Sequence, residues 1–109
     1  MYAREVSTHL KSGMLNDFNK TFELEVLPML RKQKGFKDEI TFFIPDANNV
    51  VAISLWNSKD EAEAYNKAGY PEVLKLLSKT VEGTPSLRSF EVLSSTLHKV
   101  SPISATVAA

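Results

Sequence analysis

The sequence predicts an α+β domain with the ferredoxin-like order β-α-β-β-α-β, its helices on one face of an antiparallel sheet. Three observations predict it. The apolar period changes between strand-like and helix-like along the chain. The breaks between the periodic runs carry Gly, Pro, Ser or Asn-Asn. At 109 residues the chain has room for one domain and not for two. The folded domain is expected over residues 1–98, with 99–109 as a frayed tail.

Residues Tyr2 to Leu10 read as the first strand, with Tyr, Val and Thr and no helix signal. Ser12-Gly13 breaks the chain, with Ser12 placed as an N-cap. From Met14 to Lys34, Leu15, Phe18, Phe22, Val26 and Met29/Leu30 recur at spacings of three and four, one face of a helix. Pro28 lies inside that pattern and is expected to kink or divide the helix, because it lacks an N–H. Gly35 is the expected C-cap. Asp38 to Pro45 and Val50 to Trp56 form a hairpin about the Asp46–Asn49 turn. Ser58-Lys59-Asp60-Glu61 fits a capping box that opens the second helix. Gly69-Tyr70-Pro71 restarts it, and Gly83-Thr84-Pro85 ends it. Leu87 to His98 is the expected last strand.

Bulk properties narrow the function classes. The formal net charge is zero, which argues against a nucleic-acid partner, since such binding is driven by excess Lys and Arg. No apolar run approaches the roughly 20 residues that span a bilayer, so no membrane partner is expected. There are no cysteines, so disulfides, thiolate nucleophiles and Cys-ligated metals are excluded. His9 and His98 are the only histidines, too few for a zinc site. Neither a phosphate loop nor a serine elbow is present, and no cofactor or metal is expected. The start of the chain lacks the apolar core of a signal peptide, and a cytoplasmic location is the simplest expectation.

The strands are apolar on both faces. In the second strand Ile40, Phe42 and Ile44 face one way and Phe43 the other; in the third Val51, Ile53 and Leu55 face one way and Val50, Ala52 and Trp56 the other. Two helices cover one face only. The second would be an exposed apolar patch, and a twofold homodimer is the expected remedy. The competing expectation is that the tail and loops of one chain cover part of it.

With that order in hand, the chain resembles the antibiotic-biosynthesis-monooxygenase family from Tyr2 to about Leu97. The carriers are the Gly13 break, the helix ending Val26-Leu27-Pro28-Met29-Leu30, and Gly35-Phe36. To these is added the stretch Ser54-Leu55-Trp56-Asn57-Ser58-Lys59-Asp60-Glu61-Ala62-Glu63-Ala64-Tyr65. The resemblance implies a dimeric α+β barrel with a pocket between sheet and helices in each subunit. It implies an oxidoreductase that oxygenates small aromatic or quinol-like compounds without metal or flavin. It also covers a haem-degrading branch, whose Asn, Trp and His pattern is absent here: Tyr65 holds the helix position and Leu74-Lys75-Leu76 the region of the His.

The candidate site residues follow. Strand one carries Arg4, Glu5, Ser7 and His9 in what should be a central strand, where unpaired charge is costly. They either line a polar cavity or pair with one another or with Arg88, Glu91 or His98. His9 or Arg4 is the proton or charge partner, and Tyr65 joins them as a catalytic candidate. Trp56 and Tyr65 are expected to position a substrate, with Phe22 and Phe43 as apolar walls. Two other classes compete. A non-enzymatic ligand-binding module would have a pocket with no titratable group pointing inward. An RNA-binding domain of the same order would need exposed aromatic and basic residues on its third strand, which Val50–Trp56 lacks.

Overall fold

The computed structural model describes residues 1–100. Its strands are β1 (Tyr2–Leu10), β2 (Phe36–Ile44), β3 (Asn49–Trp56) and β4 (Val81–Glu91). They form one antiparallel sheet in the order β2-β3-β1-β4. The helical segments are α1 (Leu15–Thr21), a π-helical stretch (Phe22–Val26), α2 (Leu27–Arg31), α3 (Lys59–Ala68) and α4 (Tyr70–Leu77). This is the expected ferredoxin-like α+β fold, with the helices packed on one face of the sheet.

The long first helix is divided where Pro28 required it. A regular helix would run a bond from the residue 28 N–H to the Leu24 carbonyl, and proline has no N–H to give. The chain widens instead: the Leu27 N–H donates to the Phe22 carbonyl, five residues back. The widened turn carries Phe22 and Val26, both buried against the sheet. Ser12 does not cap α1. Met14 holds that position without a side-chain bond, and the helix closes at Lys32 rather than Gly35. Ser58 does cap α3: its Oγ accepts from the Glu61 N–H at 3.2 Å and donates to Glu61 Oε1 at 3.0 Å.

The last strand differs most from expectation. It starts at Val81 and ends at Glu91, so Gly83-Thr84-Pro85 lies inside it. The pairing of β1 with β4 jumps from Ser7↔Ser86 to His9↔Glu82, and the extra residues bulge out. Gly83 supplies the positive φ of 70° that the bulge needs. Pro85 is tolerated because β4 is an edge strand with one unpaired side.

The core is Leu10, Val50, Val26 and Trp56, all fully buried, joined by Phe18, Phe22, Leu30, Val73 and Leu77. Each such side chain contributes about 1.5–3 kcal/mol by leaving water. The helix-free face is apolar as expected: Ile40, Phe42, Ile44 and Phe90 are exposed on it. Part of that face is covered within the chain. The Val92 N–H donates to the Met1 carbonyl, and His98 pairs with Asp38 on β2. Residues 92–98 therefore pass from β4 to β2, and Ala3, which points to the helix-free side, is buried. Positions 101–109, most of the expected tail, lie outside the described residues.

Candidate functional site

Alternation along β1 and β3 puts Arg4, Val6 and Thr8, and Val50, Ala52 and Ser54, on the helix-covered face. Ala52 and Ser54 are small. Where they face Phe22, Val26 and Val73, a cavity of about 60 Å³ remains between sheet and helices. On that scale one water needs ~10–15 Å³ and a benzene-sized void is ~150 Å³. The cavity therefore has room for a few waters, and a ring enters only if lining side chains move. Its walls are mainly apolar, with polar groups from β1, β2, α3 and α4.

Arg4 is the centre of the polar part. It is 3% exposed, in the middle strand of the sheet. Its Nη2 donates to Asn66 Oδ1 at 2.7 Å, and its guanidinium carbon lies 5.0 Å from the Tyr65 ring centroid and 4.7 Å from that of Tyr70. Two electron-rich ring faces thus flank the cation, a contact that strengthens when water is excluded. Among the described residues no carboxylate lies within ion-pair distance of Arg4. Burial lowers its pKa, and the two tyrosines partly oppose that.

The stack continues behind Tyr65. Trp56 is fully buried and lies 4.9 Å from the Tyr65 ring in near-parallel contact, with Phe36 edge-on at 5.6 Å. The Trp56 indole N–H donates to Ser54 Oγ at 2.9 Å. Gly69 makes room for this arrangement, because a Cβ there would fall 2.6 Å from the Tyr65 ring. Burial pushes the Tyr65 hydroxyl up to about 12, against the lowering pull of Arg4. Tyr70 is raised for the same first reason.

Glu39 supplies a carboxyl on the opposite wall. It pairs across the sheet with Ser54, which pairs with Arg4, so the three stand in one row on the helix-covered face. At about 4.8 Å per strand, Glu39 and Arg4 are separated by about 10 Å of backbone. Burial raises the Glu39 pKa, and the Thr41 hydroxyl, donating to it at 2.6 Å, limits the rise. Thr8 Oγ1 is buried without a partner among the described residues.

The predicted site residues are distributed unevenly. Arg4, Tyr65 and Phe22 line the cavity together. Trp56 stands one layer behind it, in contact with Tyr65. Phe43 is on the helix-covered side but at the edge strand β2, exposed and outside the lining. His9 is on the other side of the sheet. Its side chain is 49% exposed, with Nδ1 2.8 Å from Asn49 Oδ1 and Nε2 3.6 Å from Glu82. It does not reach the cavity: its odd position in β1 turns it away from Arg4. Glu5 pairs with Arg88 on that same face, at 2.8 Å. Asn66, Tyr70 and Glu39 were not singled out by sequence. The signal for Glu39 was its shared parity with Phe43; Asn66 and Tyr70 had none. No three His, Asp or Glu side chains among the described residues are grouped to hold a metal ion. Among the described residues no helix is long and apolar enough to cross a membrane.

The fold is shared with solved structures named for the class that the sequence resembled. No protein-family model and no curated protein matches the chain. A putative antibiotic biosynthesis monooxygenase from Nitrosomonas europaea superposes with a TM-score of 0.70 at 14% identity, over 86% of this chain and all of the other. A monooxygenase from the gene ActVA-Orf6 of Streptomyces coelicolor, in complex with nanaomycin D, gives 0.73 at 16% identity, over 90% and 92%. SnoaB, a cofactor-independent oxygenase from Streptomyces nogalater, gives 0.69 at 17% identity, over 89% and 97%. The chain thus has the architecture of the antibiotic biosynthesis monooxygenases. At these identities the likeness is one of fold.

Proposed function

We propose that the protein is a cofactor-independent monooxygenase acting on a small aromatic or quinol-type substrate in the cavity beneath α3 and α4. The observation that carries this reading is the buried Arg4, held against two tyrosines on the wall of an otherwise apolar cavity. Such a substrate reduces oxygen itself once it is an anion. Arg4 stabilises that anion in a low-dielectric site, where preorganised charge acts most strongly. Glu39, with its raised pKa, is the proton acceptor in this scheme, since a base works best when its pKa approaches the working pH. The overall change balances as quinol plus O2 giving hydroxyquinone plus one water. One oxygen atom joins the ring and the other leaves as water.

The fold shared with a cofactor-independent oxygenase supports the reading. The non-enzymatic module fits less well, because it called for a cavity with no titratable group facing inward, and Arg4 and Glu39 both line this one. The reading includes a homodimer. Exposed Ile40, Phe42 and Ile44 form a row on the helix-free face, and a second copy of that face would cover them. Purified protein incubated with a panel of hydroquinones should consume oxygen above the buffer rate. Uptake at the buffer rate across the panel would reject the enzymatic reading.

A further inference from the structure

A buried guanidinium normally comes with a carboxylate, since desolvating a lone cation costs several kcal/mol. Arg4 has no carboxylate beside it among the described residues, but the neutral Asn66 amide oxygen, the Tyr65 hydroxyl and two ring faces. A guanidinium has five N–H donors in a planar fork that matches a carboxylate, and the neutral partners Asn66 and Tyr65 do not use them all. Arg4 is also reachable. It borders the inner cavity and, on its other side, an outer cleft of about 160 Å³ formed by Tyr2, Ala62, Asn66, Leu87 and Ser89. That cleft is ring-sized on the scale on which the inner cavity is not. Glu63 also borders it and would repel an anion, but it is exposed and lies 3.9 Å from Lys59, so its field is weak.

From this geometry we infer that the ligand is an aromatic carboxylate whose anionic group pairs with Arg4. The outer cleft is its way in, and its ring packs beside Tyr65 and Tyr70 once the lining side chains of the inner cavity move to admit it. The inference deepens the monooxygenase reading and rests on its choice of this cavity. It narrows the substrate from any small aromatic to one that already carries a negative charge. It also assigns Asn66 as a positioning residue, which holds one edge of the guanidinium and leaves the rest for the ligand.

The probes are 2,5-dihydroxybenzoate and its amide, which keeps the shape and loses the charge. Titrated into the full chain at neutral pH by calorimetry, the acid should bind at least tenfold more tightly than the amide. In Arg4→Met, which keeps the length of the side chain without the charge, that preference should vanish. Equal binding of the two probes, no binding of either, or an acid preference that survives in Arg4→Met would overturn the inference. If Arg4→Met fails to fold, the comparison of acid with amide on the unaltered protein decides. Oxygen uptake separates the two claims. Tight acid binding without uptake keeps the anion site and removes the oxygenase reading; uptake with hydroquinone and no acid preference does the reverse.

Discussion

Glu39 shows how one side chain links the cavity to pH. Burial raises its folded-state pKa above the ordinary 4.5, so the unfolded chain releases this proton first. A group raised in this sense favours the fold at low pH and loses that contribution as pH rises through the folded value. Glu39→Gln removes the titration. The variant should melt higher than the parent at neutral pH, and the gap should close as pH falls toward 4.5. Scanning calorimetry at several pH values checks this. The same substitution should lower oxygen uptake by about 10²-fold or more, the usual share of a general base. Sequence pointed to Arg4 because charge in a central strand is anomalous. It did not point to Glu39, since a lone acidic residue at the start of a hairpin strand looks like surface.

At the scale of elements, the local signals worked where they were short-range. The capping box at Ser58 formed with its hydroxyl bonded to Glu61. Ser58→Ala should cost about 1 kcal/mol, read from urea unfolding. The Pro28 break also followed from local chemistry, though the form it took, a π-helical stretch, depended on how Phe22 and Val26 pack. Gly69 does more than separate two helices. Gly69→Ala would push a methyl into the Tyr65 ring, displace the partner of Arg4, and weaken ligand binding with a smaller loss of stability. Calorimetric titration beside thermal melting distinguishes the two effects. Gly83-Thr84-Pro85 misled because a stop signal and an edge-strand bulge use the same residues. Which one forms is decided by the neighbour, here β1, and not by the segment.

Over the whole molecule, the apolar second face of the sheet is the dominant fact. The chain covers one end of it with residues 92–98, clasped by His98 and Asp38, and leaves Phe42 50% exposed beside Ile40 and Ile44. Phe42→Glu should raise the dimer dissociation constant at least tenfold, with little loss of secondary structure, because the glutamate would stand in water in one copy and be buried in the pair. Sedimentation measures the first and circular dichroism the second. A parent chain that sediments as one copy at micromolar concentration would remove the dimer from the proposal.

The sequence by itself determined the element order, the class of fold and the two-sided greasiness of the sheet. Each of these is written in period, turn residues and caps that act over a few positions. It also marked Arg4, Tyr65, Trp56 and Phe22 as unusual. Only the tertiary structure decided that Arg4 and Tyr65 meet, that Asn66, Tyr70 and Glu39 join them, and that His9 does not. Those outcomes depend on which residues share a face across β1, β3 and β2 and on where α3 and α4 lie over them. Contacts between positions 62 residues apart, such as Arg4 with Asn66, leave no trace in local pattern.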